Sequence, residues 1–179
     1  TYDLVFPGLL VGKLLRSPHA HARILSINTD AALAIEGVHA VLIGDELPIT
    51  FGIIPWTPDE TALAVGKVRH VGEAVAAVAA VDEETADAAL KAIVVKYEVL
   101  TPILSPQEAL APDAPLIHET DWKGRKRKDN NCKTVELSFG DVDQALADAA
   151  VTISGEWHYS GNTHAAIEPH CAIGDYTDT

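Results

Sequence analysis

Along this 179-residue chain the apolar positions switch between two rhythms, alternation at every second residue and recurrence every three to four. The first marks a strand with one buried face, the second an amphipathic helix. Leu9–Val11 running on to Leu15, and Ala22–Asn28, read as strands. Between them Ser17-Pro18 forces a turn, because the residue before proline is pushed out of the helical region. Asp30 is placed to N-cap a short helix over Ala31–Ile35, and Gly37 to end it with a positive φ. Val38–Ile43 is apolar enough to predict an interior strand. From Gly44 to Ala62 the pattern dissolves around Pro48, Gly52, Pro55 and Pro58. A connection this long is functional or packs against another part of the protein. Its Phe51, Ile53, Ile54 and Trp56 favour packing.

The clearest unit is β-α-β. Val75–Val81 is a small-residue strand, Asp82 caps a helix over Glu83–Ile93, and Val94, Val95 and Tyr97 begin the next strand. Glu83 and Glu84 suit the positive end of that helix dipole, and Ala86, Ala89, Leu90 and Ile93 form its apolar stripe. No glycine-rich loop follows Val81, so no dinucleotide site is implied. Beyond Leu100 come Pro102, Pro106, Pro112 and Pro115, with a short turn over Gln107–Leu110. Trp122–Lys133 is polar and reads as mobile. Thr134–Phe139 predicts a strand, Gly140-Asp141 opens a helix to about Ala149, Val151–Tyr159 is a long alternating strand, and Ala172–Tyr176 a last one. The fold class expected is α+β.

Composition narrows the function classes. The net charge is −13, from 26 acidic and 13 basic residues. Such a surface repels phosphate backbones and anionic lipid, which argues against nucleic-acid and membrane partners. No apolar run reaches the roughly 18 residues of a membrane-spanning helix. No basic leader precedes an apolar stretch, so a cytoplasmic location is expected. The run Arg125-Lys126-Arg127-Lys128 reads first as a solvated loop, second as an anion or partner contact. Cys132 and Cys171 form no CxxC pair and read as free thiols. The absence of methionine suggests a processed, truncated or incompletely numbered chain.

Candidate chemistry is sparse. His19 and His21 would share one side of an extended segment, yet no third ligand lies nearby, so an ordinary turn outweighs a metal edge. His164-Ala-Ala-Ile-Glu168-Pro169-His170-Cys171 is the richest group. On a helix His164 and Glu168 would share a face, but Pro169 disfavours a helical Glu168. Glu168 is better read as a buried carboxylate that hydrogen-bonds backbone or cofactor, or as part of a plain turn. There is no GxSxG elbow, Walker loop or GxGxxG. From the residues alone no catalytic side chain can be named.

Several phrases, in order, resemble one family. They are Leu15-Arg-Ser-Pro-His-Ala-His-Ala-Arg-Ile24, Gly37-Val-His-Ala-Val41, Lys67-Val-Arg-His-Val-Gly-Glu-Ala-Val-Ala-Ala-Val78 with Glu83-Glu-Thr-Ala86 and Val95-Lys-Tyr-Glu98, Phe139-Gly-Asp-Val142, and His164–His170. Together they are similar to the large subunit of the xanthine dehydrogenase/aldehyde oxidase molybdenum hydroxylases. The resemblance implies an α/β hammerhead domain of mixed sheet and packed helices over residues 1–111. A linker at 112–133 and the beginning of a molybdopterin-binding domain at 134–179 follow. It implies hydroxylation, or in one branch reductive dehydroxylation, of small aromatic, heterocyclic or aldehyde substrates. Molybdopterin would serve the complete subunit, with [2Fe-2S] clusters and FAD on partner subunits or domains. Pro48–Pro55, Asp59-Glu60 and Lys67-Val-Arg69 look most like the 4-hydroxybenzoyl-CoA reductase branch.

The family's glycine-rich cofactor loop and its late glutamate base have no counterpart here. The resemblance therefore assigns no catalytic residue and no metal ligand, and leaves Glu168 as a weak cofactor-lining candidate. The fragment is expected to be inactive alone and to pair with the remainder of the molybdopterin subunit. Two other readings stand beside it. One is a stand-alone hammerhead-like interaction module without cofactor; the other is a small metal-binding protein using His164, His170 and Cys171.

Overall fold

A computed structural model describes residues 3–47, 49–52, 54 and 58–176. The chain divides into two compact units, residues 6–132 and residues 133–179 with the first five.

The larger unit is α+β. Its strands are β1 (Val11–Arg16), β2 (Ala22–Asn28), β3 (Val38–Ile43), β4 (Thr50–Phe51), β5 (Glu60–Thr61), β6 (Lys67–Val68), β7 (Ala74–Ala80) and β8 (Val94–Val99). Its helices are α1 (Asp30–Leu33), α2 (Glu83–Ala92) and α3 (Pro106–Ala109). One sheet has the order β1-β7-β3, a second β6-β2-β8, and β4-β5 is a small ribbon. Every pairing is antiparallel.

The predicted interior strand Val38–Ile43 lies at a sheet edge, a correction with a clear cause. β7 reads Ala-Val-Ala-Ala-Val-Ala-Ala, small enough for neighbours on both sides and a helix above. Ala77 faces Leu14 of β1 and Leu42 of β3, and both leucines stay partly exposed. Strand β7 is therefore the centre. The β7-α2-β8 unit forms as the sequence predicts, but α2 carries the chain from one sheet to the other.

Asp82 caps α2 by accepting from the Thr85 N–H at 2.7 Å. Ala86 and Ala89 of α2 are fully buried and pack with Ala32, Val41, Ala76, Val78, Ala80 and Ile93. Alanine on both surfaces brings the helix close to the sheet, so packing replaces side-chain bulk. A second cluster holds Ala22, Ala64, Val68 and Val75, and Ile27 and Val95 pack against both clusters. Gly37 has φ +89°, the left-handed conformation its sequence position predicts, and an added Cβ would also meet Val81 Cγ2 at 2.8 Å. Gly44 is required for space: a Cβ there would meet the Ala64 carbonyl oxygen at 2.6 Å. Asp30 does not cap α1. Thr29 holds the cap position without a side-chain bond, and Asp30 is the helix's first residue. The Asp30 N–H is already taken by Asn28 Oδ1 at 3.1 Å, an Asx turn that enters the helix one residue early.

Between Gly44 and Ala62 a 3-10 turn (Gly44–Glu46) precedes the β4-β5 ribbon. Phe51 and Ile54 are about half exposed, while Ile53 and Trp56 lie outside the described residues.

The stretch expected to be mobile, Trp122–Lys133, is largely tied down. Arg127 N–H donates to Glu119 O at 2.9 Å and Asp121 N–H to Arg125 O at 2.8 Å, closing a small hairpin. Arg125 grips Asp121 through Nη2 at 2.6 Å. The basic run thus folds locally, because alternate members find a carboxylate or a carbonyl.

The smaller unit differs. Helix α4 (Val142–Asp148) forms, and Asp141 caps it by accepting from the Gln144 N–H at 2.9 Å. The strands expected at Thr134–Phe139, Val151–Tyr159 and Ala172–Tyr176 do not form, and every described residue from 133 to 176 is exposed. The alternation is real, but a strand exists only where a neighbour takes its N–H and C=O groups and covers its apolar face.

Candidate functional site

The polar side chains of the larger unit converge where the 59–69 region meets segment 109–132. Lys67 is 6% exposed and would be costly to bury alone. Its ammonium donates to the Leu116 carbonyl at 3.0 Å and to Glu119 Oε1 at 2.6 Å. Arg69 Nε donates to the Ile117 carbonyl at 3.3 Å, and its guanidinium lies 4.0 Å from Glu73. Asn130 completes the frame. Its amide donates to Ala109 O at 3.2 Å and Pro115 O at 3.1 Å, while its oxygen accepts from Ile117 N–H at 2.9 Å.

These contacts hold open a cavity of about 350 Å³ lined by Asp59, Ala109, Ile117, His118, Arg127, Asn130 and Cys132. Burial pushes the His118 imidazole below its usual value, and the positive charges of Arg69, Arg127 and Lys67 add to this against Asp59. Burial alone would raise Glu119, but the Lys67 hydrogen bond and the nearby cations hold it below the usual carboxylate range. Arg127 Nη1 reaches Asn131 O at a long 3.4 Å, and its buried Nε has no hydrogen-bond partner.

A second polar cluster is structural. Ser17 Oγ accepts from His19 N–H at 3.0 Å, and the His19 ring meets Tyr97 edge-on with centroids 4.9 Å apart. Burial raises the Tyr97 hydroxyl, with a Ser17 hydrogen bond opposing. His21, 3% exposed, lies 2.7 Å through Nδ1 from the Thr101 carbonyl. Since that carbonyl can only accept, Nδ1 is the donor, and Nε2 is buried without a hydrogen-bond partner. His19 and His21 thus serve different neighbours within one turn.

Glu168, His164, His170 and Cys171 are all exposed and sit in an irregular segment with no helix to align them, so Glu168 is not the buried carboxylate expected from its apolar neighbour Ile167. Among the described residues, no group of three or more His, Cys, Asp or Glu side chains could hold a metal ion. Both cysteines are free and exposed. A cofactor such as molybdopterin needs a concave wall of donors. The described residues from 133 to 176 supply none, since every one is exposed. They do not fit that group by themselves. Sequence reasoning missed the cavity because its walls come from separate segments. One signal was present: Asp129-Asn130-Asn131, a run of turn formers, follows Arg127 closely.

Comparison with known proteins puts this geometry in context. Residues 1–101 match the sequence pattern described as aldehyde oxidase and xanthine dehydrogenase, a/b hammerhead domain. Residues 124–179 match a molybdopterin cofactor-binding domain. Over 168 residues the chain is 48% identical to a probable xanthine dehydrogenase subunit of Bacillus subtilis (strain 168), covering 93% of this chain and 21% of that protein. It is 37% identical over 177 residues to the nicotinate dehydrogenase large molybdopterin subunit of Eubacterium barkeri, covering 97% of this chain and 39% of that one. Among solved structures, a Cu,Mo-CO dehydrogenase in its carbon monoxide reduced state superposes with a TM-score of 0.67 at 34% identity, covering 84% of this chain and 20% of that one. The chain therefore spans about a fifth to two fifths of the length of these relatives.

Proposed function

Since the chain belongs to the aldehyde oxidase and xanthine dehydrogenase family, a family of enzymes, we propose that it supplies the hammerhead scaffold and the opening of the cofactor-binding region of a molybdopterin-binding oxidoreductase subunit. The observation that carries this is the succession of two family patterns, residues 1–101 and then 124–179, on one chain. The division proposed is a hammerhead over 1–111, a connection over 112–133 and cofactor-binding chain over 134–179. The tight ties from Lys67 and Arg69 to residues 116–119 support a connection held firmly against the hammerhead.

The complete enzyme would hydroxylate or dehydroxylate a small heterocyclic, aromatic or aldehyde substrate, using molybdopterin and partner subunits bearing [2Fe-2S] clusters and FAD. A cytoplasmic location belongs to the same proposal. No helix among the described residues is long and apolar enough to cross a membrane. A 4-hydroxybenzoyl-CoA reductase-like substrate is the narrower reading. It rests on residues 48–55, 59–60 and 67–69, of which Pro48, Ile53 and Pro55 lie outside the described residues.

The test compares molybdenum and pterin content in two purified proteins: this 179-residue chain, and a longer polypeptide in which it is joined to the downstream portion of the Bacillus relative. The expected outcome is metal and pterin in the joined protein and none in the 179-residue chain. Stoichiometric molybdopterin on the short chain would sink the scaffold reading. A folded, metal-free joined protein, beside a loaded Bacillus control, would sink the assignment to a cofactor-binding subunit.

A further inference from the structure

The cavity beside Arg127 lies within residues 59–132 and plays no part in the scaffold proposal. Its walls combine apolar surface from Ala109 and Ile117 with polar groups from His118, Arg127, Asn130 and Cys132, and one carboxylate, Asp59. About 350 Å³ is the volume of a small-ligand site. Asn130 has both amide donors and its oxygen engaged in holding the walls, so it positions the frame.

The charges around the cavity are unevenly matched. Lys67 is neutralised by Glu119, and Arg69 lies near Glu73. Among the described residues no carboxylate comes within ion-pair distance of Arg127, whose Nε–H is buried without an acceptor. A guanidinium offers Nε–H and one Nη–H along a single edge, a fork that matches the two oxygens of a carboxylate. The Nη1 contact to Asn131 leaves the Nε edge as the unmatched one. A half-buried guanidinium whose Nε–H is buried and idle is the kind of group that a bound anion satisfies.

We propose that this cavity is a binding site for a small carboxylic acid with an apolar body, its carboxylate on the Nε edge of Arg127 and its body against Ala109 and Ile117. A monoanion is specified over a phosphate dianion by two features. Asp59 shares the lining, and the chain carries −13 overall, so each further negative charge meets more repulsion. His118 adds its imidazole to the same lining.

Benzoate is the probe, titrated into the 179-residue chain with benzamide and inorganic phosphate as controls and the Arg127 Nε–H and His118 ring followed by NMR. Saturable benzoate binding at about millimolar concentration is expected, with benzamide and phosphate each about tenfold weaker. The Arg127 Nε–H should shift, and the His118 titration should move upward beside the bound negative charge. Arg127→Lys keeps the charge, loses the fork and should weaken benzoate about tenfold, whereas Asp59→Asn should tighten it. Equal binding of benzoate and benzamide, phosphate binding as tightly as benzoate, or full affinity in folded Arg127→Lys would overturn the assignment. No benzoate-dependent shift in the unmodified chain would do the same. None of these outcomes touches the scaffold proposal, which concerns molybdenum content.

Discussion

Segments 9–99 and 134–176 follow the same hydrophobic rule and reach different states. Val38–Ile43 and Val94–Val99 sit in registered ladders over an alanine-rich core, whereas Val135, Leu137, Phe139, Ile153, Trp157 and Tyr159 stay exposed. Alternation therefore specifies which face a strand would bury. Whether it buries that face depends on a partner able to complete the backbone hydrogen bonds. Helix α4 forms in the exposed unit because a helix satisfies its backbone internally.

The largest test of this contrast places the same charge in both regions. Val78 is 2% exposed in the central strand, so Val78→Asp buries a carboxylate without a partner. A loss of about 3 kcal/mol or more is expected, enough to abolish the folding transition of a marginal domain. Ile153 is 86% exposed, and Ile153→Asp should leave the stability in denaturant within about 0.5 kcal/mol of the starting chain. Comparable losses from both would mean that 151–159 is buried in solution.

A smaller effect separates glycines required by geometry from those that are not. Gly44→Ala drives a Cβ to 2.6 Å from the Ala64 carbonyl oxygen, a backbone atom that cannot swing aside. Gly37→Ala imposes φ +89° on a residue with a Cβ. Each should cost about 1–3 kcal/mol in chemical unfolding. Gly161, with open space around it, should accept alanine without measurable loss. A neutral Gly44→Ala would show that β3 and the 64–65 segment are less tightly joined than their geometry indicates.

Much of the larger unit was readable from residue order. Asp82 before Glu83-Glu84 marks a capped helix, and Gly37 marks a left-handed turn, although α1 itself stops earlier than its expected end at Ile35, at Leu33 with Ala34 as C-cap. Local chemistry decides such features, so local sequence reports them. The edge position of β3 was hidden, because apolar content cannot tell a central strand from an edge strand backed by helices. The cavity was hidden for a related reason. Asp59, His118 and Arg127 are brought together by Lys67 and Asn130 reaching across 13 to 52 residues, and no window of sequence contains those contacts. Glu168 stood out in sequence for its neighbours His164, Pro169 and His170, yet proximity along the chain did not gather them in space.

The finest test uses pH, and its sign follows from burial. His118 is held below its ordinary value chiefly by burial and next by Arg69, with Asp59 opposing. As pH falls through the ordinary histidine value of about 6.5, the unfolded chain takes up this proton while the folded chain resists it. The unfolded state then binds more protons, so stability drops as pH drops. The His118 contribution is fully present above that value and is lost as pH falls toward the lower, folded one. Glu119 obeys the same sign at more acidic pH, since its folded value is also depressed, so a comparison at about pH 7.5 and about pH 5.5 reads mainly histidine. His118→Gln should narrow the difference in unfolding midpoint between those two conditions, whereas His170→Gln, in the exposed segment, should leave it unchanged. An unchanged difference in His118→Gln would show that the imidazole is as well solvated in the folded chain as in the unfolded one, and the walls drawn from 59–69 and 109–132 would then not be closed around it.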